Sequence, residues 1–450
     1  MTEEDFRYLP DTSKDVSEML AEIGVEKIDD LFSDIPKEIL MTEELALPDP
    51  LSEGEVLRHM KKMAAQNTTS QDMPIFLGAG TYDHEIPSAV DAVISRSEFL
   101  TAYTPYQPEA SQGELQAIFE FQTMISELTG MDATNSSLYD GPASLGEAVA
   151  LAQVQTRKKK VLLSNGVHPH ARQVVKTAAP GRGSEIVEIP LKVDQTDLER
   201  LKEAIDTDTA AVVIQYPNFL GTIEDLRAVK ALLADTKIKF IVMANPLALA
   251  LLETPGQLGA DIVVGDTQPF GIPMSYGGPH CGYFSVNKTD IRKVPGRIVG
   301  ETVDQDGKRG FVLTLQSREQ HIRREKATSY MSSNQALNAL ASAVAMASFG
   351  KEGTRQMAQL NLDKAGYLAN QLVSKGFKLF NEGVFFNEFI IELPLSADEA
   401  NQVLLEAGII GGYSLAKDYD LPNHLLLCVT EKRTKAELDQ FVEVLGGVLA

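Results

Sequence analysis

The sequence predicts an α/β protein: a large, mostly parallel sheet covered by helices, followed by a smaller α/β domain. Three observations predict it. Short apolar runs of strand length recur from about residue 159 to 286, namely KKVLLS, SEIVEIPL, AAVVIQYP, KFIVMAN, ADIVVG and HCGYFSV. Helical segments such as DLERLKEAI and TIEDLRAVKALLAD separate several of them, the alternation that builds parallel sheets buried on both faces. The chain has 450 residues, 44% of them hydrophobic and 23% charged, which is globular composition and more than one core requires.

Residues 1–65 read as a helical arm. Within SKDVSEMLAEIGVEKIDDLFSDIP, Val16, Met19, Leu20, Ile23, Ile28, Leu31 and Phe32 recur at helical spacing, interrupted at Gly24, and the resulting apolar stripe calls for a cover from a neighbour. Residues 66–335 form the large domain. DMPIFLGAGTYDHEIP is loop-like, GELQAIFEFQTMISELTG is an amphipathic helix ending at Gly130, and DGPASLGEAVALAQVQTR is a turn entering a small-residue helix. After the six strands, VDQDGKRG is a polar turn between two apolar segments. Residues 336–450 comprise a linking helix, begun by NQALNALASAVAMASFG, and a small α/β domain with strands in FKLF, FNEFIIEL and NHLLLCVT and helices in SADEANQVLLEAG and KAELDQFVEVLGGV.

Charge and cysteine content exclude several classes. With 41 basic and 63 acidic residues the net charge is -22, which repels nucleic-acid phosphates and anionic membranes. No apolar run approaches the length of a membrane span. MTEEDFRYLPDTSKD is too acidic and too polar for a signal or transit peptide, and the two cysteines, Cys281 and Cys428, form no CxxC pair. A cytoplasmic, reducing location and no metal site are the expectation.

Several stretches could carry chemistry. YDGPASLGEA has the glycine and helix start that hold an anion on backbone N–H groups, though small residues also serve close packing. SNGVHPHARQ offers His168 and His170, for stacking or as ordinary loop residues. Asn245 stands at the end of a strand where ligands sit in open α/β sheets. The loop after ADIVVG brings Asp266, Thr267, Gln268, Pro269 and Phe270 but no lysine before Lys288, so it lacks the amine that an imine-forming cofactor needs. Cys281 beside His280 raises a nucleophile reading with no orienting acid apparent. The polar, aromatic loops contribute Tyr82, His84, Tyr103, Tyr106, Gln107 and Glu114, and REQHIRREKATS is a basic island with Arg318, His321, Arg323, Arg324 and Lys326; either could meet a ligand or another subunit.

Long blocks, FLGAGTYDHEIPSAV, YTPYQPEASQGELQAIFEFQTMISELTG, ANPLALALLETPGQLGADIVVGDTQPFGIPMSYGGPHCGYF and RREKATSYMSSNQALNAL among them, resemble the P-protein family of the glycine cleavage system over nearly the whole chain. The resemblance implies a pyridoxal-phosphate (PLP)-dependent transferase fold of type I, with a seven-stranded large domain. It also implies glycine dehydrogenase (aminomethyl-transferring) activity, in which glycine is decarboxylated and its aminomethyl group passes to the lipoyl arm of H-protein. In the two-chain form the cofactor lysine belongs to subunit 2. Where the catalytic half carries histidine-lysine-threonine, this chain reads Thr267, Gln268 and Pro269, which marks it as subunit 1, without covalently bound cofactor and inactive alone. Asn245 falls near the pyridine-nitrogen aspartate, and Asp140 places a carboxylate where a phosphate would lie. An α2β2 heterotetramer with subunit 2 is implied. Tyr82, His84, Tyr103, Tyr106, His321 and Arg323 are the expected residues of a shared site or interface. The other readings are a purely structural or regulatory subunit and a stand-alone PLP aminotransferase or lyase.

Overall fold

The structure is a computed structural model describing residues 8, 10–41, 43, 45–327, 329, 331 and 333–449. The chain divides into two units, Met1–Asn67 and Thr68–Ala450. In the first, α1 (Ser13–Ile23) and α2 (Glu53–Ala64) flank a short 3-10 turn at Ile28–Phe32. Thr12 opens α1 with a capping box, its N–H donating to the Asp15 carboxylate at 2.8 Å while its hydroxyl accepts from the Asp15 N–H at 3.3 Å. Gly24 closes the helix in the left-handed region at φ 86°. Leu20 is buried, whereas Met19, Ile23, Leu31, Phe32, Leu57 and Met60 stay exposed.

The second unit is built on a seven-stranded sheet: β1 (Ala133–Thr134), β2 (Lys160–Ser164), β3 (Glu185–Ile189), β4 (Thr209–Tyr216), β5 (Lys239–Ala244), β6 (Ile262–Asp266) and β7 (Gly282–Val286), in the order β1-β7-β6-β5-β4-β2-β3. The β3-β2-β4-β5-β6 pairs are parallel, and β7 runs antiparallel to both β6 and β1. All six strands read from the sequence are present. The two-residue β1 was missed because it is too short to carry a period.

Alternation sorts the strand residues between two cores. Leu162, Val212, Ile214, Phe240, Val242 and Val263 pack on one face with Phe121 and Ile125 of α3 (Gln112–Thr129). Val161, Leu163, Val213, Ile241, Ile262 and Val264 pack on the other with Leu145 and Val149 of α4 (Gly141–Thr156) and Val175 of α5 (Pro169–Arg182). With both faces covered, the strands read as continuous apolar runs. The polar turn VDQDGKRG joins β8 (Ile298–Val303) to β9 (Arg309–Thr314) in an antiparallel hairpin.

A 40-residue helix, α6 (Ala336–Lys375), is bent at Gly350, where φ is 61°. It leads to a four-stranded antiparallel sheet of β10 (Lys378–Leu379), β11 (Glu388–Glu392), β12 (Tyr413–Ser414) and β13 (His424–Cys428), in the order β10-β11-β13-β12. Helices α7 (Ala397–Glu406) and α8 (Lys435–Gly446) complete a separate core around Phe389, Ile391, Leu425, Leu427 and Phe441.

Irregular backbone at residues 75–85 forms a strap that ties the small sheet to the large one. The Phe76 N–H donates to the Ile410 carbonyl at 2.9 Å, and the Phe76 carbonyl accepts from the Cys428 N–H at 2.8 Å. Phe76 itself packs on Phe441, with ring centroids 4.4 Å apart. Farther along, the Asp83 carboxylate receives Lys432 Nζ at 2.6 Å and Arg433 Nη2 at 2.9 Å. Arg433 is buried, and among the described residues its only other acid partner is Glu437 at 3.6 Å. Replacing Asp83→Asn should therefore leave a buried guanidinium poorly compensated and lower the unfolding free energy by about 3 kcal/mol. A urea denaturation curve showing less than a third of that loss would mean that the strap is held by its backbone bonds instead.

Candidate functional site

A cavity of about 520 Å³ lies at the carboxyl ends of β4, β5 and β6, bounded there by Gln215, Ala244, Asn245, Gly265 and Asp266. This edge of an open α/β sheet is where strand termini and helix starts converge on a ligand. Its walls come from the strap (Thr81, Tyr82), the starts of α4 and α5 (Asp140, His168) and the small sheet (Glu388, Tyr413). Among the described residues neither lysine nor arginine lines it.

Gln268, 1% exposed, spends its whole side chain on the protein. Its Oε1 accepts from the Tyr82 N–H at 2.9 Å, and its Nε2 donates to the Tyr82 carbonyl at 2.8 Å and the Ile272 carbonyl at 3.0 Å. The primary amide thus acts as a third backbone unit between strap and loop. A lysine has no acceptor and could not reproduce this pairing.

The start of α4 is filled by carboxylates. Asp140 caps the helix, accepting the Ala143 N–H at 2.7 Å, and Asp266 accepts the Gly141 N–H at 3.2 Å. Burial pushes the Asp140 carboxyl up, against the Ala143 bond, and the Asp266 charge adds to the rise. His280 closes the group, its Nδ1 3.0 Å from Asp266 and its Nε2 3.2 Å from the Thr81 hydroxyl. Burial alone would lower the His280 pKa, but its bond to Asp266, with the Asp266 and Asp140 charges, outweighs burial and raises it. Asn245 turns its Oδ1 onto the Leu247 N–H at 3.0 Å. His168 accepts the His170 N–H on Nδ1 at 3.1 Å and meets the Ala79 carbonyl through Nε2 at 3.0 Å. Burial first of all lowers its pKa to about 4, so it is a neutral ring at pH 7.

These residues do not fit PLP. No amine stands at position 268, the helix start that would hold the phosphate is capped by two carboxylates, and a neutral amide at Asn245 cannot pair with a protonated ring nitrogen. The expectation that Asp140 bars a phosphate rests on its charge; the geometry adds that its oxygen already takes the N–H a phosphate would need.

The sequence reading missed Glu388. It is buried on β11 with no cationic partner among the described residues, accepting the Ala79 N–H at 2.7 Å and the Tyr82 hydroxyl at 2.9 Å. Burial pushes its pKa up to about 7. The signal available was a carboxylate inside the apolar run FNEFIIEL, at a position whose alternation faces the large domain.

The remaining sequence-derived residues are dispersed. Tyr82 lines the cavity through the strap. His84 is buried beneath it, its Nδ1 2.9 Å from Glu431, whose pKa falls to about 2 because His84, the Glu85 N–H and Asn361 outweigh the effect of burial. Tyr103 is 91% exposed. Tyr106 and His321 meet in a second cavity of about 170 Å³, together with Arg297, which the sequence reading passed over. Arg323 donates through Nε to the Ser317 carbonyl at 2.9 Å, and the Arg318 side chain lies outside the described residues. Cys281 is buried, its thiol pKa raised by that burial, and His280 points to Asp266, so the pair is no nucleophile and base. Among the described residues no group of three metal-binding side chains gathers, and no helix is long and apolar enough to cross a membrane.

Two outcomes follow. Gln268→Lys should give no internal-aldimine absorption with PLP and, by orphaning the Tyr82 N–H, should cost about 1–3 kcal/mol of stability; a visible aldimine band would contradict the fit just described. Because the folded pKa of Glu388 lies above its unfolded value, its contribution to stability is intact below pH 4.5 and is lost as pH rises through about 7. Glu388→Gln should thus stabilise the chain at about pH 8 by something on the order of 3 kcal/mol and by almost nothing at about pH 4.5; thermal melts at both pH values check the difference.

A family model described as "Glycine cleavage system P-protein" matches residues 6–445. A protein of Geobacillus sp. (strain WCH70), described as probable glycine dehydrogenase (decarboxylating) subunit 1, is 58% identical over 98% of this chain and 98% of its own length. One of the same description from Halalkalibacterium halodurans is 56% identical over 98% and 99%. A crystal structure of glycine decarboxylase (P-protein) of the glycine cleavage system, in inhibitor-bound form, superposes with a TM-score of 0.90 at 42% identity, covering 98% of this chain and 100% of that one. A sphingosine-1-phosphate lyase of Burkholderia pseudomallei, at 16% identity, TM-score 0.66 and coverage of 91% and 92%, shares the fold alone.

Proposed function

We infer the role of this chain from one premise: it belongs to the glycine cleavage system P-protein family. Within that family it is subunit 1 of the two-subunit glycine decarboxylase, with the PLP-transferase type I architecture of a large seven-stranded domain and a small C-terminal α/β domain. The complex is an enzyme, glycine dehydrogenase (decarboxylating), to which this chain contributes as one of two kinds of subunit.

In our proposal the cofactor and the covalent chemistry reside on subunit 2, and this chain supplies folded surface around that site. The observation that carries it is the locked amide of Gln268, both of whose polar atoms are committed to Tyr82 and Ile272. The complex would take glycine as substrate and lipoylated H-protein as acceptor, in an α2β2 assembly. The apolar residues left exposed in the N-terminal unit, Met19, Ile23 and Phe32 among them, support an assembly that covers them. We keep Tyr103, Tyr106, His321 and Arg323 as interface or shared-site residues. Tyr82 and His84 act from within, by holding the strap in place.

The test is co-purification with subunit 2 followed by exchange of labelled bicarbonate into glycine, with and without this chain. Exchange should need both chains. Full exchange by subunit 2 alone would remove the catalytic role and leave only a structural or regulatory one.

A further inference from the structure

The second cavity holds a guanidinium that the protein leaves partly unclaimed. Arg297 follows a tight turn whose carbonyls are tied down, the Pro295 carbonyl by Asn135 Nδ2 at 3.0 Å and the Arg297 carbonyl by the Ser136 N–H at 2.8 Å. Gly296, at φ 78°, lets that turn press against Asn135 and Leu138. The side chain is thereby delivered from fixed backbone into a space of about 170 Å³. The guanidinium carbon Cζ lies 5.6 Å from the Tyr106 ring centroid, and Nη2 makes a long bond of 3.4 Å to the Tyr106 hydroxyl. Nε is buried and finds no hydrogen-bond partner among the described residues. Among the described residues no carboxylate comes within ion-pair distance of Arg297; Glu114, whose carboxyl burial pushes up, is partly held down by the Arg297 charge without pairing with it.

An arginine with a buried, unused donor carries a desolvation cost that an acceptor would relieve. The planar fork of N–H groups matches a carboxylate in two parallel bonds. At roughly 30 Å³ per water the cavity has room for about five or six waters, the bulk of a ligand of a few heavy atoms. Charge decides between oxyanions. Glu319 lines the same space, 3.6 Å from His321, and a dianion would meet that carboxylate with only one fixed guanidinium to offset it. A monovalent carboxylate is the better match. The larger cavity has the opposite character, with Asp140, Asp266 and Glu388 on its walls and, among the described residues, no lysine or arginine.

We propose that the pocket formed by Arg297, Tyr106 and His321 is a binding site for a small monocarboxylate, held by the Arg297 fork on this chain itself. Binding to the isolated full-length chain does not depend on how subunits 1 and 2 divide the chemistry, so the proposal stands or falls apart from that reading.

Saturation-transfer NMR on the methyl resonance of acetate, with the full-length chain at constant ionic strength, tests it. Wild type should give transfer that saturates with acetate and is displaced by glycine and formate far more readily than by inorganic phosphate or chloride. Arg297→Met should abolish the transfer, and Arg297→Lys, which keeps the charge and loses the fork, should weaken binding about tenfold. Arg309→Met, which removes a hairpin arginine paired with Glu301, should leave it unchanged. Circular dichroism establishes folding, and if the methionine variant is unfolded the lysine variant decides. Absence of saturable transfer in wild type, transfer that survives in a folded Arg297→Met or Arg297→Lys chain undiminished, or displacement by phosphate as readily as by formate would each overturn the proposal.

Discussion

Eleven residues of irregular backbone, 75–85, hold the second unit in its shape. They have no ladder of their own, so every buried N–H and C=O must find a partner elsewhere. Those partners lie on both sides: Ile410, Cys428 and Glu388 in the small domain, Gln268 and His168 at the edge of the large sheet. The strap thus converts two separately cored layers into one body and also forms a wall of the larger cavity. Because its bonds are to side chains as much as to backbone, the strap calls for hydrogen-bonding side chains at 268, 388 and 431.

Gln268 illustrates what that constraint does to chemistry. A side chain that must both accept from Tyr82 and donate to it has no atom left for a ligand. The same holds around it, where Asp266 takes N–H groups of Gly141 and Gln268 and Asp140 takes that of Ala143. A concave site at the usual edge of the sheet is present, but its hydrogen-bonding capacity has been turned inward. The acid-rich lining then sets an electrostatic preference contrary to that of a phosphate cradle.

Much of the fold was legible in the sequence, because strands buried on both faces leave continuous apolar runs such as AAVVIQYP and KFIVMAN, and helices between them announce themselves by period and by a terminal glycine, as at Gly130. The two-residue β1 and β12 left no signal, since their pairing is made by neighbouring strands. For the site, the missing amine was readable from the order of residues after ADIVVG, where no lysine stands before Lys288. The partner of Gln268 was not, because Tyr82 is 186 residues away and contributes backbone, which has no sequence signature. Arg297 escaped notice for a similar reason: it is one of many arginines, and only three-dimensional placement sets it beside Tyr106 with its Nε buried and unbonded.

Glu388 gives folding a proton stoichiometry. Between the ionisation ranges of the free and the enclosed carboxyl, the unfolded chain releases a proton that the folded chain retains, so each folding event draws a hydrogen ion from the medium. The heat recorded on folding near neutrality then includes the ionisation enthalpy of whatever buffer surrenders that ion. Two buffers matched in pH but differing in ionisation heat would report different enthalpies for the same chain, and the slope of one against the other counts the fraction of a proton taken up.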